Sequence, residues 1–182
     1  RLKPARGDPA VPAALGIAAG RRSVAVVRMS NTEAIMWAVE KDPALRSDFC
    51  NLVLLDRRPR DESMPPTVQR ALDAIPRLGQ RVVSAPLRIA PPEFADDPML
   101  DPAAHVRLVA VPSPGDDRAL LDLCGALAEQ PLDRARPLWE FTIVEGLTGG
   151  RAAVVMKVHH SVTDGVGGID LLSQLVDIDR DA

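Results

Sequence analysis

The stretch that decides the fold reads Leu138-Trp139-Glu140-Phe141-Thr142-Ile143-Val144-Glu145-Gly146-Leu147-Thr148-Gly149-Gly150-Arg151-Ala152-Ala153-Val154-Val155-Met156-Lys157-Val158-His159-His160. Two apolar runs, Leu138 to Leu147 and Arg151 to His159, flank Thr148-Gly149-Gly150. Glycine reaches positive φ without steric cost, so the three residues read as a hairpin turn. The second run is apolar almost throughout, which predicts a central strand covered on both faces.

Working outward, helix and strand signals alternate. Ser30 and Glu33 have capping-box spacing ahead of Ala34, Ile35, Met36, Trp37 and Val39, a helix ending near Asp42-Pro43. Phe49 to Leu55 has strand length. Pro65-Pro66 opens a second helix with Val68, Leu72 and Ile75 at helical spacing. Arg81 to Ile89 reads as an edge strand because of Pro86, and residues 90–103 as a loop. His105 to Val111 reads as another strand. Gly115-Asp116 starts a third helix, with Leu120, Leu123, Cys124 and Leu127 on one face and Cys124 a packed core residue. A fourth helix is expected from about Gly168 to Val176. Strands, helices and a hairpin in this order predict an α/β (α+β) domain built on a mixed sheet flanked by helices.

Composition narrows the function classes. A chain of 182 residues, 46% hydrophobic and 26% charged, fits one globular domain of ~100–200 residues. No window approaches the ~18 consecutive apolar residues of a spanning helix. Two cysteines, Cys50 and Cys124, make neither a disulfide scaffold nor a four-thiolate zinc site. A formal net charge of −3 argues against a nucleic-acid partner. That charge is uneven: residues 1–28 carry +5 and residues 29–182 carry −8. Residues 1–28 therefore read as a basic, Ala/Pro-rich N-terminal extension, and 29–182 as the domain. The extension is a tail, or else an electrostatic contact with anionic headgroups.

Chemistry concentrates in His159-His160-Ser161-Val162-Thr163-Asp164-Gly165, where the apolar strand ends and a turn leads toward a helix. Strand ends facing a crevice are where α/β folds place reactive groups. Three readings stand: a metal site, polar residues satisfied by backbone, or a general base. Neighbours on a strand point to opposite faces, so His159 and His160 do not readily share one ion, and the expectation is no metal. A histidine takes and returns a proton near neutrality. Only one of the pair enters a cleft, and the other orients the turn. Ser161 lies in no Gly-x-Ser-x-Gly elbow, so His160 would activate an external nucleophile.

The seven residues resemble the HHxxxDG signature of the CoA-dependent acyltransferase superfamily. Pro131-Leu132-Asp133-Arg134-Ala135-Arg136-Pro137-Leu138-Trp139-Glu140 resembles the PLDRxRPLWE block of bacterial wax ester synthase/diacylglycerol acyltransferases. Ile75-Pro76-Arg77-Leu78, His105-Val106-Arg107, Pro114-Gly115-Asp116 and Glu145-Gly146-Leu147 continue the likeness in order, from about Met29 to Asp177.

The resemblance implies a chloramphenicol-acetyltransferase-like half-molecule and a catalytic role for His160 as base. It implies that His159, Asp164 and Gly165 support the catalytic loop, and that Pro137, Leu138 and Trp139 line the site or a tunnel. Trp139 is equally explained as core. The implied reaction moves an acyl group from acyl-CoA, a substrate rather than a resident cofactor, to a diacylglycerol or a long-chain alcohol. The alternatives are another hydroxyl acceptor, as in polyketide-associated or condensation-type enzymes, or a noncatalytic lipid-surface module. The implied partners are the C-terminal half of the same enzyme, with its Asn-Asp motif, as a separate or cleaved chain, and acyl-CoA and lipid alcohol. The implied location is cytoplasmic, peripheral on a membrane or lipid-droplet surface.

Overall fold

The computed structural model describes residues 26–42, 44–85 and 89–163. In chain order these form β1 (Val27–Arg28), α1 (Asn31–Val39), β2 (Asp48–Leu55), α2 (Met64–Ala74), β3 (Gln80–Val83), β4 (Glu93–Asp96), β5 (Val106–Ala110), α3 (Asp117–Glu129), β6 (Trp139–Glu145) and β7 (Ala152–His159).

The strands make two sheets. The larger has the order β2-β7-β6-β5. Its β2–β7 and β7–β6 pairs are antiparallel, and its β6–β5 pair is parallel. The sheet is mixed, as expected, because β6 and β7 join as a hairpin whereas β5 reaches β6 through the α3 crossover. β7 is central and almost wholly buried, as its apolar sequence requires. Thr148–Gly150 forms a short 3-10 turn between them, with Gly149 and Gly150 at positive φ. Gly115 is also at positive φ, and a Cβ there would run into the Gly146 carbonyl, so the start of α3 fits against the end of β6 only without a side chain.

The smaller sheet, β1-β4-β3, was not expected in full. The segment 90–103 read as a loop contains β4, the middle strand, and a 3-10 turn over Pro102–His105. Its four residues place only Phe94 fully inside. Of the expected strand Arg81 to Ile89, residues 81–83 form β3 together with Gln80, paired with β4; Ser84, Ala85 and Ile89 are not strand, and residues 86–88 lie outside the described residues. His105 ends the 3-10 turn rather than opening β5. Of the expected N-terminal extension, residues 1–25 lie outside the described residues; Val27 and Arg28 pair with Phe94 and Glu93. The fourth helix also lies outside them.

Two apolar cores flank the large sheet. One gathers Val68, Leu72 and Leu78 from the α2 region with Leu138, Trp139, Phe141, Met156 and Val158. The other packs Leu120 and Leu127 of α3 against Val144, Ala153 and Val155. Cys50 and Cys124 are free thiols half-buried against this second core, and burial pushes both above the ordinary thiol value.

Candidate active site

The site forms where β7 ends beside β2 and the loop before β6. β7 and β2 run in register so that His159 stands opposite Asp48. The His159 N–H donates to the Leu138 carbonyl at 3.1 Å, and the His160 N–H donates to the Ser47 carbonyl at 2.9 Å. Both histidines are thus fixed by backbone before their side chains are considered.

Their side chains part as strand alternation requires. His159 is buried and His160 is exposed. The His160 ring lies against Phe49, with centroids 4.8 Å apart. His159 is held on both nitrogens. Its Nδ1 accepts the Ser161 backbone N–H at 3.0 Å and lies 2.7 Å from the Ser161 hydroxyl. A backbone N–H can only donate, so the ring proton sits on Nε2 and donates to the Glu40 carboxylate at 2.6 Å.

Arg77 fastens the next residue of the turn. Its guanidinium donates to the Ser161 carbonyl at 2.6 Å, pairs with Glu33 of α1, and lies over the Phe94 ring at 4.6 Å. Burial pushes the Glu33 carboxyl up, but hydrogen bonds from the Ser30 N–H and from Arg77 outweigh it and hold Glu33 below the ordinary carboxylate value.

Of the block before β6, Pro137, Leu138 and Trp139 are buried. Leu138 touches the site through its carbonyl. The Trp139 indole N–H donates to the Leu78 carbonyl at 2.7 Å, inside the first core. Arg134 from the same block lies over the Trp37 ring at 3.4 Å and donates to the Trp37 carbonyl at 2.9 Å. A cavity of about 390 Å³ lies beside this pair, under α1, and His160 does not line it.

Asp164 and Gly165 lie outside the described residues. Among the described residues no cluster of His, Cys, Asp or Glu suits a metal ion. His105 is not part of the site: it is buried, stacks on Trp139 with centroids 4.5 Å apart, and donates from Nδ1 to the Trp139 carbonyl at 2.9 Å. Glu40 is a site residue the sequence reading missed. It is 119 residues from His159, and no spacing rule reaches that far.

Residues 29–182 match the wax ester synthase/diacylglycerol acyltransferase catalytic domain family. The chain belongs to this family. Two relatives in Mycobacterium tuberculosis carry diacylglycerol O-acyltransferase in their names. One is 40% identical over 147 residues, covering 81% of this chain and 30% of the relative. The other is 37% identical over 159 residues, covering 85% of this chain and 58% of the relative. Among solved structures, the wax ester synthase/diacylglycerol acyltransferase from Marinobacter aquaeolei VT8 superposes with a TM-score of 0.69 at 26% identity, covering 86% of this chain and 40% of that one. The first condensation domain of the calcium-dependent antibiotic synthetase superposes with a TM-score of 0.67 at 14% identity, over 85% of this chain and 38% of that one, and shares the fold alone. This wax ester synthase/diacylglycerol acyltransferase family member thus spans less than two thirds of each of these proteins.

Proposed function

We propose that this family member is an acyl-CoA-dependent O-acyltransferase that esterifies a diacylglycerol or a long-chain alcohol, with His160 as general base. The exposed ring of His160, at the end of a buried strand and with its backbone pinned on Ser47, carries the reading. His159 has both ring nitrogens committed to Glu40 and Ser161, so it is a scaffold and not a proton carrier.

The His160 imidazole takes the proton of the acceptor hydroxyl. The oxygen attacks the thioester carbonyl, and the C–O bond forms as the carbonyl π pair moves to oxygen. When that pair returns, the C–S bond breaks, and the imidazolium returns the proton to the CoA thiolate. The products are an ester and free CoA, with no acyl-enzyme. Proton transfer of this kind contributes ~10²–10⁴-fold to rate.

The relatives' greater length supports a second half, joined or separate, as the other wall of the site. α1 fits this, since none of its residues is fully buried and Ile35 and Val39 lie exposed one turn apart. Among the described residues no helix is long and apolar enough to cross a membrane, and a lipid acceptor is met by peripheral association in this proposal. Asp164 and Gly165 hold the catalytic turn in the same reading.

The test supplies the full-length protein with palmitoyl-CoA and diacylglycerol, or hexadecanol, and follows CoA release. His160→Ala is expected to lower kcat by ~10²–10⁴-fold with an unchanged circular dichroism spectrum. A fully active His160→Ala enzyme sinks the mechanism.

A further inference from the structure

Glu40 caps the C-terminus of α1, and its side chain is 6% exposed. One carboxylate oxygen, Oε1, accepts two hydrogen bonds. The first comes from His159 Nε2 at 2.6 Å, the second from the Ser47 N–H at 3.0 Å. Ser47 is the residue whose carbonyl accepts the His160 N–H. A single oxygen therefore holds the ring of the first histidine and the residue that fixes the backbone of the second. On the far side of the ring, Nδ1 fixes the Ser161 N–H. The peptides on both sides of His160 are anchored through groups that trace back to Glu40.

The carboxylate is itself held. Arg134 lies 3.6 Å from the other oxygen and donates to the carbonyls of Trp37 and Glu40, while its guanidinium covers the Trp37 ring. The Trp37 ring meets His159 edge-on, with centroids 6.0 Å apart. A buried carboxylate is retained at low cost only with such partners, and Arg134 and His159 supply them.

We infer that Glu40 is a positioning residue for acyl transfer, setting the place of the His160 ring through His159 and Ser47. The inference rests on the reading of His160 as the base. Misplacing a reacting group by 1 Å costs on the order of 10²-fold in rate. The effect belongs on kcat, because the Glu40 side chain is buried and reaches His160 only through His159 and Ser47.

The experiment measures steady-state CoA release by the full-length enzyme with palmitoyl-CoA and diacylglycerol. Glu40→Ala is expected to lower kcat roughly 10–100-fold while KM for palmitoyl-CoA stays within about twofold. Glu40→Gln keeps an oxygen that accepts both hydrogen bonds, and its kcat is expected within about threefold of the parent. Placed in the His160→Ala background, Glu40→Ala is expected to remove nothing further, since its effect passes through the missing ring. If Glu40→Ala does not fold, Glu40→Asp carries the test: one methylene shorter, it cannot reach both donors, and kcat falls at unchanged KM. A folded Ala or Asp variant with the parent kcat overturns the inference, as does a Gln variant as slow as Ala. His160→Ala with the parent kcat overturns instead the reading beneath it.

Discussion

Lys157 is a charged residue on the most deeply buried strand, and its surroundings explain why. Its Nζ donates to the carbonyls of Leu127 and Ala128 at 3.0 and 3.1 Å and to that of Gln130, at the end of α3. The Leu127 carbonyl also accepts the Gln130 N–H at 3.3 Å; the others lie at the very end of the helix, where carbonyls lack intrahelical partners and a cation suits the negative end of the helix dipole. Burial pushes the amine below the ordinary lysine value, and Asp48, 3.8 Å away, pulls it back. Lys157→Met fills the space but removes the amine donor from the Ala128 and Gln130 carbonyls and the cation beside Asp48. We expect about 3 kcal/mol of stability to be lost in urea unfolding. His105 is the complementary case. Burial holds its pKa below the ordinary 6.5 even though the Trp139 carbonyl favours the proton. The unfolded chain therefore binds a proton that the folded chain refuses. Stability should fall as pH drops from about 6.5 toward the folded pKa, and the loss is complete below it. His105→Asn keeps a donor for Trp139 and does not titrate. The expected result is a shallower decline of Tm between pH 7.5 and 5 than in the parent.

At the scale of the element, α1 shows what is legible and what is not. Ser30 and Glu33 stand three apart, and both halves of the capping box form: the Ser30 hydroxyl accepts the Glu33 N–H at 3.3 Å, and Glu33 accepts the Ser30 N–H at 2.6 Å. Ser30→Ala should cost about 1 kcal/mol. Glu33→Ala should cost more, about 2 kcal/mol, because Arg77 loses its carboxylate while still reaching the Ser161 carbonyl. Urea titration of the two variants checks the order. The hairpin and the helices α1, α2 and α3 were legible because their signals are contiguous: turn glycines, a capping box, apolar residues at a fixed period. β4 was not. Glu93-Phe94-Ala95-Asp96 offers one fully buried side chain, and what makes it a strand is the pair of neighbours, β1 and β3, that tertiary structure supplies.

Across the whole molecule the same division separates the parts of the site. The histidine pair and the Pro131–Glu140 block are written in single runs, and strand alternation already assigned opposite faces to His159 and His160. Glu40, Ser47 and Arg77 come to the turn from 84 to 119 residues away, through contacts that no periodicity encodes. Trp139 sits at the junction and had two equal explanations, core or tunnel wall. It is 1% exposed, stacks on His105, lies 4.7 Å from Phe141, and ties β6 to the α2–β3 connection by its bond to Leu78. Those contacts make it a clamp between the larger sheet and the α2–β3 connection. Trp139→Phe would leave the Leu78 carbonyl unpaired and a void beside His105, costing about 2–3 kcal/mol. A loss of that size lowers Tm. A wall residue would behave differently, changing the ratio of kcat/KM for palmitoyl-CoA over decanoyl-CoA with little effect on Tm. We expect calorimetry of the full-length enzyme to show the drop in Tm, with that ratio unchanged. A shifted ratio at the parent Tm would place Trp139 on the substrate path instead.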